Sequence, residues 1–98
     1  MRILSRSTLA AFWKKHPDSE QALRAWFAEV EKAAWTNPVQ IRARYAAADF
    51  IAGDRVVFDI RGNHYRLAVA VKYGPLFIVF IRFIGTHAEY DKIDAATV

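Results

Sequence analysis

The spacing of apolar residues changes once along the chain, near residue 48, and this change constrains the fold more than any other feature. Before it, apolar residues recur three and four positions apart, which places them on one face of a helix. After it, apolar and polar residues alternate, which is typical of strands with one buried face. A helical half followed by a strand half predicts an α+β fold, and 98 residues suit a single domain over residues 1–98.

The first half contains signals for two longer helices. Ser5 or Ser7 can begin the first helix, and Pro17 ends it. Asp18 is the expected N-cap of the second helix, with Gln21 placed for a capping box. We expect the two helices to form an antiparallel hairpin. Their apolar faces consist of Leu9, Phe12, Trp13 and His16 in the first helix, and of Leu23, Trp26, Phe27, Val30 and Ala34 in the second.

Two shorter elements flank this hairpin. Residues 1–4 predict a short strand, because apolar residues there precede the serine-rich start of the first helix. Asn37 followed by Pro38 is the pattern of an N-cap with proline at the first helical position. This pattern predicts a short third helix that ends at Arg44.

The second half predicts three strands, at residues 55–60, 64–72 and 76–84, because these segments are rich in Val, Ile, Phe and Tyr. Gly62-Asn63 and Gly74-Pro75 separate them and are strong turn signals. A two-residue turn at Gly62-Asn63 fixes the register of the first two strands. The resulting pairs are Ile60 with Tyr65, Asp59 with Arg66, Phe58 with Leu67 and Val56 with Val69. Tyr65, Leu67, Val69 and Val71 then face the core, and Arg66, Ala68, Ala70 and Lys72 face away.

The third strand is expected to extend the same two faces. Its apolar side would consist of Phe77, Val79, Ile81 and Phe83. Arg82 then lies on the side of Arg66, and directly across from it if residues 73–75 form a three-residue turn. A two-residue turn at Gly74-Pro75 would shift that register by one. The apolar pattern favours the three-residue turn.

A short helix is predicted directly after the third strand. Thr86 and Glu89 form a T-x-x-E capping box, which marks its first turn. This helix would bring His87 and Tyr90 within one turn of each other. The residues after Asp94 are small, and we expect this tail to be frayed.

Composition excludes several kinds of site. The chain has no cysteine, which removes disulfides, thiol nucleophiles and thiolate metal sites. Its three histidines, His16, His64 and His87, are too scattered for any metal-ligand spacing, so we expect no metal and no cofactor. No glycine pattern surrounds a serine as in a nucleophile elbow, and no phosphate-binding loop is present.

Charge and hydropathy limit the classes of partner that this chain is expected to bind. The 14 basic residues exceed the 10 acidic ones, and the net charge of +4 suggests a polyanionic partner. The longest apolar run, residues 76–81, has six residues, against about 20 in a membrane helix. We therefore expect a cytoplasmic protein that makes no membrane contact.

The face of the sheet that points away from the core is the most informative place for function. Arg66 and Lys72 alternate there with alanines, and Arg82 adds a third cation. Long cations above small residues leave room for an extended nucleic-acid backbone, with arginine binding a phosphate through two donors. The alternative is that Arg66 pairs with Asp59 and that the other cations are simply solvated.

The predicted C-terminal helix adds groups that can transfer protons. His87, Tyr90 and Lys92 bring an imidazole, a phenol and an ammonium to the end of the third strand. Cleavage of a phosphodiester next to a 2′-hydroxyl needs a base, an acid for the leaving oxygen and cations for the charge on phosphorus, and it needs no metal. The alternative is that His87 and Tyr90 are aromatic residues that dock the helix on the sheet.

Three segments resemble the HigB family of toxins from bacterial toxin-antitoxin pairs. They are residues 63–67 (NHYRL), 80–85 (FIRFIG) and above all 86–93 (THAEYDKI). His16-Pro17 before a helix that carries tryptophan, and Ala43-Arg44-Tyr45 in mid-chain, are similar too. The resemblance therefore covers nearly the whole chain, and the stretch GTHAEYDKI makes it specific.

This resemblance implies the RelE-like fold, in which a helical hairpin packs on a small, twisted, mostly antiparallel sheet. It implies an endoribonuclease that cleaves mRNA, usually on the translating ribosome, and a cognate HigA-like antitoxin with a helix-turn-helix domain. Arg66 matches the strand arginine near the scissile phosphate, and His87 falls where relatives have a cation or imidazole. The candidate catalytic residues are Arg66, His87, Tyr90 and Lys92, and the candidate RNA-binding residues are Lys72 and Arg82.

Two other functions remain open at this point. The same scaffold resembles toxins that bind DNA gyrase and cleave nothing, so a non-catalytic inhibitor is one alternative. A basic RNA-binding module without turnover is the other. Most aromatic residues of this chain fit helix stripes or the core face of strands, whereas base-stacking surfaces need exposed rings.

Overall fold

Five strands form one sheet in a computed structural model that describes all of residues 1–98. In chain order they are β1 (Arg2–Leu4), β2 (Asp49–Phe50), β3 (Arg55–Ile60), β4 (Tyr65–Lys72) and β5 (Ile78–Thr86). In space the order is β1-β5-β4-β3-β2, and only the β1–β5 pair is parallel. The predicted strand at residues 1–4 is thus confirmed, and the two-residue β2 is an addition to the prediction.

Four α-helices accompany the sheet, and the α+β class is therefore confirmed. They are α1 (Arg6–Lys15), α2 (Glu20–Lys32), α3 (Pro38–Arg44) and α4 (His87–Tyr90). A 3₁₀ turn at Pro17–Ser19 joins α1 to α2, and these two helices form the predicted hairpin. None of the helices has the length and apolar character needed to cross a lipid bilayer.

The helix ends differ from the prediction in their capping contacts. Ser5 precedes α1 as expected, but its side chain makes no capping hydrogen bond. Asp18 does not cap α2, because residues 17–19 form the 3₁₀ turn, and its carboxylate instead accepts a hydrogen bond from the Tyr65 hydroxyl at 2.6 Å. The predicted capping box with Gln21 is therefore wrong. Asn37 caps α3 as predicted, since its side chain accepts from a backbone N–H at 3.2 Å.

The main core lies between α1, α2 and α3 and one face of the sheet, here called the inner face. Phe58 on β3 is fully buried at its centre. Its ring packs edge-on against Trp26 and Tyr45, with ring centres 5.5 and 5.0 Å away, and stacks on Trp35 at 6.4 Å. The predicted helix stripes contribute to this core as far as Val30. Ala34 lies beyond the end of α2 and is exposed.

The predicted pairing of β3 with β4 is confirmed. Ile60 lies opposite Tyr65 and Asp59 opposite Arg66, and the remaining predicted pairs follow in the same register. The turn at residues 61–64 is closed by a backbone hydrogen bond from His64 to the carbonyl of Arg61 at 3.2 Å. Gly62 takes a φ of +67° in this turn, which glycine adopts without strain.

The predicted pairing of β4 with β5 is wrong in two respects. Lys72 lies opposite Ile78, so residues 73–77 form a five-residue connection instead of a two- or three-residue turn. The register then shifts within the strands, because Val69 pairs with Ile81 whereas Ala68 pairs with Phe83. Arg82 is the extra residue of this β-bulge and does not lie across from Arg66.

The bulge changes which face the later residues of β5 occupy. Val79 and Ile81 belong to the main core as predicted. Phe83 instead packs on the opposite face, here called the outer face, against a small cluster that contains Ala68. Phe77, which was also expected on the apolar strand face, lies in the connection before β5.

The C-terminal tail is folded onto the outer face, which corrects the prediction of a frayed end. Ala95 is buried together with Val57 and Ala68, and Val98 packs against them. A guanidinium N–H of Arg55 donates to the Val98 carbonyl oxygen at 2.7 Å. Small and β-branched outer-face residues allow the tail to approach the sheet closely, so part of the predicted open surface is covered.

Candidate active site

Arg66 lies on the outer face of β4 and is surrounded by residues of three other strands. Asp59 on β3 and Gly85 on β5 are its neighbours across the sheet, and Asp49 approaches from β2. Its guanidinium Nη1 is 3.1 Å from Asp49 Oδ2, and its Nε is 3.6 Å from Asp59 Oδ1. The Asp59 pair is the alternative considered from the sequence, and the structure contains it.

Tyr90 of α4 covers the other side of this arginine. The guanidinium carbon of Arg66 lies 5.0 Å from the centre of the Tyr90 ring, which is within the range of a cation–π contact. The Phe83 ring lies 6.2 Å from the Tyr90 ring on the same face. The outer-face position of Phe83 therefore helps to hold α4 against the sheet and Tyr90 against Arg66.

Gly85 permits this packing because a side chain there would collide with Phe83. A Cβ at this position would lie 2.5 Å from Cζ of the Phe83 ring and 3.1 Å from Oε1 of Glu89. Gly85 also lies directly opposite Arg66, so no side chain of β5 blocks the arginine from that direction.

His87 is the first residue of α4 and follows the pair formed by Thr86 and Tyr65. The residue is partly exposed, but its Nε2 is buried and has no hydrogen-bond partner in the chain. Buried polar atoms normally have a partner, so this nitrogen can bind a water, and it can act on a substrate only when α4 exposes it. His87 thus lies beside the end of β4 that carries Arg66.

The predicted capping box fixes the start of α4. The Thr86 hydroxyl accepts from the Glu89 N–H at 3.2 Å, and the Thr86 N–H donates to a Glu89 carboxylate oxygen at 2.9 Å. Donation from the Thr86 backbone is the main reason why the pKa of Glu89 is lowered; the Thr86 hydroxyl and the charges of His16 and Lys92 act in the same direction. A charged Glu89 therefore keeps His87 and Tyr90 in place.

The remaining candidate cations are not all gathered around Arg66. Lys92 follows α4 and is exposed, close enough for its charge to act on Glu89. Arg82 is also exposed, with its guanidinium 5.2 Å from the Phe80 ring centre, and it forms no ion pair. Lys72 lies six residues from Arg66 along β4, about 20 Å away at the usual rise of a strand.

Lys72 is also neutralised within the chain. Its ammonium lies 2.5 Å from Asp54, which is paired with Arg55 as well. The hydrogen bond from Lys72 is the main cause that lowers the pKa of Asp54, so this carboxylate remains charged. The structure therefore brings Arg66 and Tyr90 into contact and places His87 one helical turn before Tyr90. Lys92, which follows α4, and Arg82 on β5 are exposed, and Lys72 is separated from all of them.

The sequence interpretation missed Asp49 and Phe83 as neighbours of the candidate residues. Asp49 belongs to a strand of two residues, which is too short for alternation to reveal. Phe83 fitted the alternating pattern of the core face and was assigned to the wrong side of the sheet. No three or more His, Asp or Glu side chains lie close enough together to hold a metal ion.

Comparison with known proteins identifies the family. The model of the HigB toxin family, described as the RelE-like toxic component of a toxin-antitoxin system, matches residues 19–93. The chain is also similar to the mRNA interferase HigB of Escherichia coli O6:H1, with 24% identity over 95 residues that cover 95% of this chain and 91% of the relative. Because the family match spans three quarters of the chain and includes every residue of the cluster around Arg66, this protein belongs to the HigB family of toxin-antitoxin toxins.

Proposed function

We propose that this toxin is a metal-independent endoribonuclease that cleaves mRNA and thereby inhibits translation. Membership of the toxin family and the similarity to a protein named mRNA interferase support the reaction class. The observation that carries the proposal is the cluster on the outer face. Its guanidinium lies against the phenol ring of Tyr90, and the short helix that carries Tyr90 also carries an imidazole nitrogen that has no partner in the chain.

The proposed reaction uses the neighbouring hydroxyl of the RNA as nucleophile. The 2′-oxygen attacks the adjacent phosphorus, and the bond from phosphorus to the 5′-oxygen breaks. One of His87 and Tyr90 accepts the proton of the 2′-hydroxyl, and the other donates a proton to the leaving 5′-oxygen. The products are a 2′,3′-cyclic phosphate and a 5′-hydroxyl. Imidazole is the side chain that enzymes use most often for such transfers, so His87 is our first choice as the proton acceptor.

Arg66 would stabilise the negative charge that develops on the phosphate oxygens. Its fork of N–H donors matches two of these oxygens. To bind them it must exchange its contact with Asp49, whose side chain is 58% exposed. Exposed ion pairs contribute little to stability, so this exchange costs little. Asp59, which is more buried, can keep the guanidinium oriented during the exchange.

The other candidate cations would bind the RNA away from the reacting phosphate. Lys92 follows the helix that carries His87 and Tyr90, and as a further cation it would assist these residues in the reaction. Arg82 is exposed and has no acidic partner, so it is available for the RNA backbone. Lys72 would contact RNA only at a distance from the cleaved bond and only by leaving Asp54.

The proposal includes the partners implied by the family resemblance. A HigA-like antitoxin with a helix-turn-helix domain would neutralise the toxin, which acts in the cytoplasm where mRNA is translated. A chain of 98 residues has few side chains with which to read a base sequence. The translating ribosome would therefore present the mRNA to it.

A non-catalytic toxin is the second candidate, and one observation favours it. Arg66 lies between two carboxylates, which is also the arrangement of an arginine that holds strands together. In that case the toxin would act by binding, to DNA gyrase or to RNA, without breaking a bond.

Replacement of His87 separates the two candidates. The toxin and its His87→Ala variant are expressed in cells, and new RNA 5′ ends are mapped across the transcriptome. We expect the wild type to produce new ends and the variant to lose them by a factor of about 10²–10⁴, the usual contribution of an acid or base. His64→Ala is the control, because His64 is exposed on the turn at residues 61–64 and should leave cleavage unchanged. Growth arrest without new ends, or new ends that persist in His87→Ala, would contradict the proposal.

A further inference from the structure

The largest groove of the protein lies away from Arg66, between α3 and the edge of the sheet. It encloses about 580 Å³. Its walls come from α3, from β2 with the turn that follows it, and from the start of β3. Side chains that line it include Val39, Arg42, Phe50, Ile51 and Tyr73. We call it the α3 groove.

The α3 groove borders an apolar side chain that the fold does not use. Only Ile41 of α3 is buried, and Val39 beside the groove is 74% exposed. Leu76 is the other large apolar side chain with comparable exposure, at 63%, and it does not line the groove. An exposed apolar residue next to an apolar concavity is typical of a protein-binding surface.

The charge around the groove is unbalanced. The guanidinium of Arg42 lies over the Phe50 ring, 4.7 Å from its centre, and forms no ion pair within the chain. The groove does contain a carboxylate, Asp54, but Arg55 and Lys72 already neutralise it. A complementary partner would therefore place an apolar side chain in the groove and an acidic side chain near Arg42.

The strand beside the groove can also accept a partner. β2 is the last strand of the sheet, so one of its edges has no neighbouring strand. Its two residues point to opposite faces: Asp49 contacts Arg66 on the outer face, and Phe50 packs against the main core and lines the groove. An extended segment could therefore pair with this edge and place its side chain in the groove at the same time.

We infer that the α3 groove is the docking site for a segment of the cognate antitoxin that carries an apolar residue next to an acidic one. Family membership requires such a partner, and the inference does not depend on the proposed cleavage of RNA. A nucleic acid fits less well, because the groove offers an apolar floor and one free cation. A second copy of this chain fits less well too, since a symmetric contact would bring two Arg42 side chains together.

Paired substitutions at the two exposed apolar residues test this docking site. Val39→Glu places a charge at the groove, and Leu76→Glu places the same charge at an exposed position outside it. The antitoxin encoded with this toxin is purified, and its affinity for each variant is measured by titration calorimetry. We expect Val39→Glu and Arg42→Glu each to weaken binding by about tenfold or more, as for central interface residues, and Leu76→Glu to change it less than twofold. Circular dichroism shows whether each variant is folded.

Three results would overturn the inference. The first is that folded Val39→Glu binds the antitoxin as tightly as Leu76→Glu does. The second is loss of self-association, measured by sedimentation, with antitoxin binding intact, which would assign the groove to a second copy. The third is weaker binding of an oligoribonucleotide with antitoxin binding intact, which would assign it to RNA. Cleavage by each variant is measured without antitoxin, so a failure of the proposed nuclease activity is recognised separately.

Discussion

Replacing Arg66 with alanine separates a catalytic arginine from a structural one. The substitution removes the ion pairs at 3.1 Å to Asp49 and at 3.6 Å to Asp59, together with the contact to the Tyr90 ring. Pairs with this exposure contribute about 0.2–1 kcal/mol each, and an exposed cation–π contact about 0.5–1 kcal/mol. We therefore expect Arg66→Ala to lower the free energy of unfolding by about 1–3 kcal/mol.

Such a loss leaves the protein folded at 25 °C, because domains of this size are stable by about 5–15 kcal/mol. The melting temperature should fall by about 5–20 °C. Loss of a group that stabilises transition-state charge lowers the rate by about 10²–10³, whereas a loss of stability that leaves the protein folded changes the rate little. The assay therefore measures kcat/KM for cleavage of an oligoribonucleotide, or of mRNA in a translation extract, beside the thermal unfolding of the same preparation.

Asp49→Ala is the matched variant, because it deletes one of the same ion pairs and leaves the guanidinium in place. We expect a similar small loss of stability, up to about 1 kcal/mol. Cleavage should be unchanged or rise up to about fivefold, since Arg66 no longer has to leave Asp49 before it binds phosphate. If Arg66→Ala cleaves within tenfold of the wild type, or if both variants lose activity in proportion to their lost stability, the catalytic role of Arg66 is refuted.

Two further predictions concern the helix that carries His87 and Tyr90. Gly85→Ala should move the Phe83 ring, because the new Cβ would lie 2.5 Å from its Cζ; we expect cleavage to fall about tenfold or more with about 1–3 kcal/mol of lost stability, measured by the same two assays. The pKa of Glu89 is lowered mainly by the Thr86 N–H, so its contribution to the helix is present above the usual glutamate value of about 4.3 and is lost as the pH falls through the lower folded-state value. An NMR titration of the Thr86 amide should show that low midpoint, and Glu89→Gln should remove the transition.

Each of these predictions has a contradicting result. Wild-type cleavage by Gly85→Ala would show that the position of the Phe83 ring does not matter for the site. A Glu89 midpoint at or above the value of a free glutamate would show that the capping box contributes little to the stability of the helix.

Local signals were sufficient for much of this fold. The turn at Gly62-Asn63 and the alternation on either side of it determined the register of β3 with β4. The capping patterns at Asn37 and at Thr86 were also interpreted correctly, because a cap depends on residues within one turn of the chain. Arg66 was placed on the outer face for the same reason, since one fixed register determines the face of every residue in the strand.

Contacts between segments that are distant in the sequence could not be predicted from such local signals. The residues on both sides of Arg82 are apolar, so the sequence does not show where the alternation of faces shifts. The C-terminal tail docks because Ala95 packs against Val57 on β3 and Ala68 on β4, which are far from it in the sequence. Likewise, Lys72 pairs with Asp54, which precedes β3. Arg66 pairs with Asp49, which belongs to a strand of two residues. Charge pairs of this kind require the tertiary structure.

The bulge at Arg82 separates two parts of β5 that have different roles. Val79 and Ile81 before it belong to the main core, where substitutions are constrained by packing, and Phe83 and Gly85 after it shape the surroundings of Arg66. In a regular strand, one alternation of inner and outer faces would run through both halves, so a change in one half would constrain the other. The extra residue at Arg82 makes the alternation of faces in one half independent of that in the other. Substitutions at Phe83 or Gly85 are therefore expected to alter the surroundings of Arg66 without repacking Val79 and Ile81 in the core.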